Sequence, residues 1–241
     1  MNILILGYGK MGKIISQLAV NRGHHIVAKI NIENVSDLEN LDRDKVDVAI
    51  EFSQPDAAVG NIKWCLENAV PVVVGTTGWL DHKDEVSKWC KEKNGSLFYA
   101  SNFSIGVNIF FKVNAFLARL MQDQNAYQAS VEEVHHTEKR DAPSGTAISL
   151  AEGLIQNNNR YRDWKLREGK ETLKEGTLPI ISKRIDPAPG THIVQYVSEV
   201  DDITIQHEAH SRQGFALGAV LVAEWLPGKK GVLSMNDFLD F

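Results

Sequence analysis

From residue 135 to residue 147 the chain reads His-His-Thr-Glu-Lys-Arg-Asp-Ala-Pro-Ser-Gly-Thr-Ala. Two imidazoles and an ammonium stand just ahead of a Pro-Ser-Gly-Thr helix start. Groups that carry or transfer protons therefore lie beside a place where an anion is welcome. The first N–H groups of a helix lack partners and form the positive end of its dipole, so a carboxylate or phosphate binds there. Ser144 is suited to cap this helix. The N–H groups of Gly145 and Thr146 are then left for the anion. Taken as a charge run alone, the stretch would read as a solvated basic turn ahead of a well-capped helix. The closeness of donors to the helix start argues for chemistry instead.

A strand over residues 129–134 is expected to deliver His135 and His136. Successive strand residues face opposite sides, so at most one of the two points squarely into a given site and the other supports the structure. Ala142, preceding Pro143, is expected to be extended. Ala147, Ile148, Ala151, Leu154 and Ile155 trace the buried face of the helix that follows.

A second chemical feature opens the chain. Ile3-Leu4-Ile5-Leu6 is an apolar run suited to a strand buried on both faces, and Gly7-Tyr8-Gly9-Lys10-Met11-Gly12 follows at once. Ile14, Ile15, Leu18 and Ala19 then recur at helical spacing. A G-x-G-x-x-G between strand and helix is the setting in which the motif binds dinucleotides. Gly7 permits the tight turn, Gly9 lets a pyrophosphate approach, and Gly12 lets helix pack on strand. A second strand, residues 25–30, ends at Asn31, where an acidic residue commonly holds the ribose 2′-hydroxyl. Asn can bond a hydroxyl without repelling a 2′-phosphate, and Lys29 and Lys10 suit equally a contact with that phosphate or a place as solvated surface charges. NADH and NADPH both remain open.

Further buried strands are expected over 47–52, 71–75 and 97–100, with a helix over 57–69. The following turns, Ser53-Gln54-Pro55, Gly75-Thr76-Thr77-Gly78 and Ser101-Asn102-Phe103, fall at the carboxyl ends of the strands, where open parallel sheets bind ligands. Thr76 and Thr77 suit either a ligand contact or a satisfied turn. Alternating strands and helices predict a doubly wound α/β domain. Residues 102–108 read as a hinge into a helix over 109–121, and residues 157–177 as a polar loop. A strand at 180–184 and an antiparallel pair at 190–197 and 202–207 complete an open mixed sheet suited to subunit contact. An apolar helix from Phe215 to Leu226 returns to the first domain. The expected division is thus 1–102 with 213–241 for dinucleotide binding, and 103–212, an α+β domain, for substrate binding and oligomerisation.

At 241 residues, 43% hydrophobic and 24% charged, the chain is an ordinary globular sequence, and a net charge of -5 gives no support for nucleic-acid or anionic-membrane binding. No apolar run approaches the roughly 18–20 residues that span a bilayer. The two cysteines, Cys65 and Cys90, belong to no metal-ligand spacing and read as buried free thiols. With no signal peptide evident, the expected location is the cytoplasm. No metal site is expected.

These motifs together resemble the dihydrodipicolinate (4-hydroxy-tetrahydrodipicolinate) reductase family of the lysine and diaminopimelate route. The glycine fingerprint is shared with many folds. More specific are the run from His135 to Ala147, Gly75-Thr76-Thr77-Gly78, Asn102-Phe103-Ser104-Ile105-Gly106-Val107-Asn108, and His210-Ser211-Arg212 with Phe215-Ala216-Leu217-Gly218-Ala219. The resemblance implies a homotetrameric NADH- or NADPH-dependent oxidoreductase that delivers a hydride and then a proton to a cyclic dicarboxylate. It implies Lys139 as proton donor, His135 as its catalytic partner, and His136, Gly145 and Thr146 as carboxylate contacts. The cofactor would meet residues 7–12, Asn31, Gly75, Thr76, Thr77, Ser101, Asn102 and Phe103. The chain departs from the family pattern at Asn31, in a short 32–45 segment, and at Asp186, where a glycine often stands two residues after the arginine. Arg184 is therefore left out of the expected site. Two other readings are an aspartate or homoserine dehydrogenase, which would not need the arrangement from Lys139 to Thr146, and a nucleotide-binding regulator without turnover.

Overall fold

The computed structural model describes residues 1–169 and 171–241. The chain divides into two compact units, Met1–Ile105 with Gln213–Phe241, and Gly106–Arg212.

The first unit holds β1 (Asn2–Leu6), α1 (Lys10–Asn21), β2 (His25–Ile30), β3 (Val48–Glu51), α2 (Pro55–Glu67), β4 (Val72–Val74), α3 (Lys83–Glu92), β5 (Ser96–Tyr99), α6 (Gln213–Trp225), β11 (Gly231–Leu233) and α7 (Met235–Leu239). Its sheet is parallel throughout in the order β11-β5-β4-β3-β1-β2. Alternation along each strand sorts the core into two layers. Ile3, Ile5, Val48 and Ile50 pack with the apolar faces of α1 and α6, while Leu4, Leu6, Ala49 and Val72 pack with α2 and α3. A sheet covered on both faces explains the unbroken apolar strands. Chain order reverses between β1 and β3, so the loops after these strands flank the crevice where doubly wound sheets take ligands.

The second unit holds α4 (Ile105–Leu120), β6 (Gln128–His135), α5 (Gly145–Asn157), β7 (Asp163–Leu166), β8 (Thr177–Arg184), β9 (Thr191–Val197) and β10 (Asp202–Glu208). Its sheet runs β10-β9-β6-β8-β7 and is mixed, with β6, β7 and β8 mutually parallel and β9 antiparallel to both its neighbours, β6 and β10. One face packs on α4 and α5 through Ala129, Val131, Leu178, Ile180, Val194 and Tyr196. The opposite residues of β6 and β9 are only half-buried.

Three expectations change. The polar stretch 157–177 contains an edge strand, β7, whose four residues are too few to show a period. The stretch read as a hinge is already helical from Ile105, because Ser104 is buried and its N–H donates to Asn102 Oδ1 at 2.9 Å, ending the loop early. The short elements β11 and α7, unanticipated in the sequence, extend the first sheet and its core.

Candidate active site

The glycine loop is built as its spacing predicts. Gly7 has φ +94°, and a Cβ there would lie 2.1 Å from the Phe52 carbonyl oxygen; at Gly12 it would lie 2.0 Å from the Gly7 oxygen. Gly9, by contrast, faces open space. Gly7 and Gly12 serve backbone packing, and Gly9 keeps the approach clear. Gly9 N-caps α1, whose first turn has neither a side-chain cap nor an acidic residue, so its N–H groups suit a phosphate. A cleft of ≈ 570 Å³ opens beside the loop, and Gly7, Tyr8, Gly9, Asn31, Glu33 and Phe52 are among its walls. The residues present therefore fit a dinucleotide.

Sequence reasoning missed several of these walls. Ile32, 94% exposed, and Val35, also exposed, stand on its rim. Ser53 and Gln54, on the turn expected at the strand ends, line the cleft too. Asn31 closes a turn, accepting the Glu33 N–H at 2.8 Å while its own N–H donates to Asn34 Oδ1. Lys29 sits 4.8 Å above the Tyr8 ring centroid, and its hydrogen bond holds the phenol below its ordinary value.

The other expected cofactor residues lie on loops at the same ends of the strands. Lys10 and Met11 begin α1. Thr76 is buried, and its Oγ1 accepts the Ser53 N–H at 2.8 Å, so it serves the turn; Thr77 is exposed. Gly75 is required because a Cβ would strike the Phe52 ring at 2.1 Å. Ser101 is exposed. Phe103 is 2% exposed in the aromatic core with Phe52 and Phe98, which leaves only its backbone for a ligand. Below these loops Glu51 is fully buried. Burial pushes its carboxyl up against the opposing hydrogen bonds of Ser53, Thr76 and Asn61.

In the second unit, β6 ends in the histidine pair, and alternation separates the two rings. His135 is 8% exposed and shares a face with Glu133; His136 is half-buried on the opposite side. His135 Nδ1 lies 3.0 Å from Glu133 Oε2, close enough for an ion pair although the pair lacks aligned hydrogen-bond geometry. Glu133 is fully buried. Burial alone would raise its carboxyl, but His135, Ser144 and Ser182 outweigh this and hold it well below the usual carboxylate range. Glu133 Oε1 accepts from Arg184 Nη2 at 3.2 Å.

Arg184 also donates to the carbonyls of Lys139 at 3.3 Å and Asp141 at 2.7 Å. The residue omitted from the expected site thus ties the Lys139 loop to Glu133. Asp186, the departure that prompted its omission, accepts from the Thr137 N–H and hydroxyl at 3.0 and 2.6 Å, a second tie on the same loop. Lys139 Nζ donates to both Asp141 oxygens at 2.8 Å, in a pair that is 62% exposed on the aspartate side.

Ser144 caps α5 as expected, accepting the Ala147 N–H at 3.2 Å. Gly145 is exposed and Thr146 half-buried, and the first turn carries no acidic residue. The helix start is therefore open to an anion. His192, not singled out in the sequence, completes the cluster. Its Nε2 is 3.1 Å from Ser144 Oγ and 4.0 Å from Glu133 Oε2. Burial and the neighbouring His135 lower its imidazole to about 4. Donor atoms of Glu133, His135 and His192 lie within 4.8 Å of one another, the one set among the described residues with the chemistry to hold a metal ion. Arg184 already pairs with the Glu133 carboxylate at 3.2 Å.

The described residues contain no helix long and apolar enough to cross a membrane. Residues 1–103 match the family described as Dihydrodipicolinate reductase, N-terminus, and residues 106–239 match Dihydrodipicolinate reductase, C-terminus. The chain is 48% identical, over 99% of its length and 98% of the relative's, to the 4-hydroxy-tetrahydrodipicolinate reductase of Christiangramia forsetii. It is 32% identical, over 96% of both chains, to the enzyme of that name from Archaeoglobus fulgidus. Among solved structures, a dipicolinate-bound dihydrodipicolinate reductase from Paenisporosarcina sp. shares the fold with a TM-score of 0.82 at 22% identity, covering 99% of each chain. The chain belongs to the dihydrodipicolinate reductase family.

Proposed function

We propose that the chain catalyses the NADH- or NADPH-dependent reduction of 4-hydroxy-tetrahydrodipicolinate to tetrahydrodipicolinate, with loss of water, in lysine and diaminopimelate biosynthesis. The observation that carries this reading is the open start of α5 beside a charged lysine and a buried Glu133–His135 pair. A dicarboxylate needs N–H donors and cations, and its reduction needs a proton source near the ring. The first unit is assigned to the dinucleotide and the second to the substrate and to subunit contact within a cytoplasmic homotetramer, with the half-buried face of the second sheet as the contact surface.

The dinucleotide, when bound, supplies the hydride. Gly145 and Thr146 N–H groups receive a substrate carboxylate, with His136 beside them. Lys139 supplies the acid, and its pairing with the exposed Asp141 is weak enough to leave the ammonium available. It donates the proton, and its charge offsets negative charge developing on the substrate. His135, backed by Glu133, keeps the site polar behind Lys139. Arg184 holds the Lys139 loop in place.

The experiment is a cofactor-oxidation assay with freshly generated substrate, run on the wild type and on Lys139→Ala. Turnover should fall by about 10²–10⁴ in the variant, the usual worth of a general acid, while cofactor affinity stays unchanged. Near-normal turnover in Lys139→Ala would remove Lys139 from the proton step.

A further inference from the structure

His192 has no part in the mechanism above, yet its surroundings are unusually specific. It lies on β9 directly opposite Glu133 of β6. Its ring centroid is 5.1 Å from that of His135, edge-on at 73°. Glu133, His135, Ser144 and His192 are 0, 8, 3 and 5% exposed, so water does not compete for their contacts. The Ser144 hydroxyl offers one proton and two lone pairs. The Ala147 N–H takes one lone pair, the Glu133 carboxylate also engages the hydroxyl, and His192 Nε2 at 3.1 Å is its third partner, as acceptor or donor according to its tautomer. Either tautomer fixes the rotamer of the residue that caps α5.

We propose that His192 is a positioning residue for substrate binding. By holding Ser144 it sets the first turn of α5, and by packing edge-on against His135 it keeps that ring on Glu133. One buried network thereby places the proton-handling side chain and the anion-binding helix start relative to each other. The inference rests on the assignment of the α5 start as the carboxylate site.

Simple core filling would give His192 the same burial, so the test must separate hydrogen bonding from packing. Dipicolinate, a planar dicarboxylate, serves as the probe. Its affinity is measured by calorimetry on the whole enzyme with saturating NADH or NADPH, beside KM and kcat for the substrate. His192→Leu retains bulk and loses the bond to Ser144. It should weaken dipicolinate and raise KM about five- to tenfold, the worth of one neutral hydrogen bond, with cofactor affinity unchanged. His192→Gln places an amide nitrogen near the Nε2 position and should recover most of the loss. Combining His192→Leu with Ser144→Ala should cost no more than the worse single change, because both break the same contact.

Wild-type dipicolinate affinity in folded His192→Leu would overturn the proposal, as would losses that simply add or that extend equally to the cofactor. If His192→Leu does not fold, His192→Asn replaces it: its shorter amide leaves the Nε2 position empty, and equal affinities for the Asn and Gln variants would overturn the proposal. Absence of dipicolinate binding and of turnover in the wild type would instead overturn the α5 assignment itself.

Discussion

The burial of His192 predicts a defined acid sensitivity. An unfolded histidine titrates near 6.5, whereas here burial, helped by the neighbouring His135, lowers His192 to about 4. Between these values the unfolded chain binds a proton that the folded chain refuses. Stability therefore rises with pH across this window; the contribution is fully present above about pH 6.5 and is lost as pH falls towards 4. One proton over about 2.5 pH units corresponds to about 3 kcal/mol, with a maximum slope of about 1.4 kcal/mol per unit. That is a large share of the stability of an ordinary domain.

Other groups change in or near this range, so the quantity to measure is a difference between proteins. Burial also lowers His207, which bears on His192 electrostatically, while Glu51 is pushed up by burial and acts equally in wild type and variant. Glu133 is held so low that its contribution is lost only at more acid pH. The assay is urea unfolding of the wild type and His192→Gln, followed by circular dichroism at intervals from pH 7.5 to 4. The wild type should lose about 3 kcal/mol more than the variant over the window. Parallel curves would show that His192 is not held neutral by its surroundings, and the reasoning about the buried network would fall with it.

Four further outcomes follow from local geometry. Gly9→Ala should fold with an unchanged melting temperature yet lose NADH and NADPH affinity in calorimetry, since its Cβ enters open space at the loop. Gly12→Ala should lower the melting temperature markedly, its Cβ falling 2.0 Å from the Gly7 oxygen. Gly190→Ala, whose Cβ would lie 3.0 Å from His135 Nε2 at φ +155°, should lower kcat by displacing that ring, with cofactor affinity intact. Asn31→Asp should shift the kcat/KM ratio towards NADH by roughly tenfold, because a carboxylate there repels a 2′-phosphate.

Much of this architecture could be read from the sequence because its signals are local. Ile3 to Leu6 followed by three spaced glycines defines a strand, a turn and a helix within a dozen residues, and Ser144 announces the start of α5 by type alone. The alternation of β6 likewise separated His135 from His136 before any contact was known. What escaped the sequence depends on distant partners. An acid in a strand ordinarily faces water; Glu133 is buried only because His192 and Arg184 come to it from β9 and β8. Arg184 was set aside because of its neighbour Asp186, which the fold uses to hold Thr137. Asn31 lines the cleft, and its bonds to Glu33 and Asn34 within the same turn depend on a local fold that residue type alone does not announce. β7 and β11 were too short to show a period and owe their strand form to the neighbours they pair with.

The central claim is tested most directly by supplying the purified wild-type protein with freshly generated 4-hydroxy-tetrahydrodipicolinate, with NADH and NADPH in parallel, and following the loss of reduced-cofactor absorbance. The account predicts substrate-dependent oxidation of at least one cofactor, with tetrahydrodipicolinate as product. No substrate-dependent oxidation of either, from folded enzyme that binds the cofactor, would contradict it.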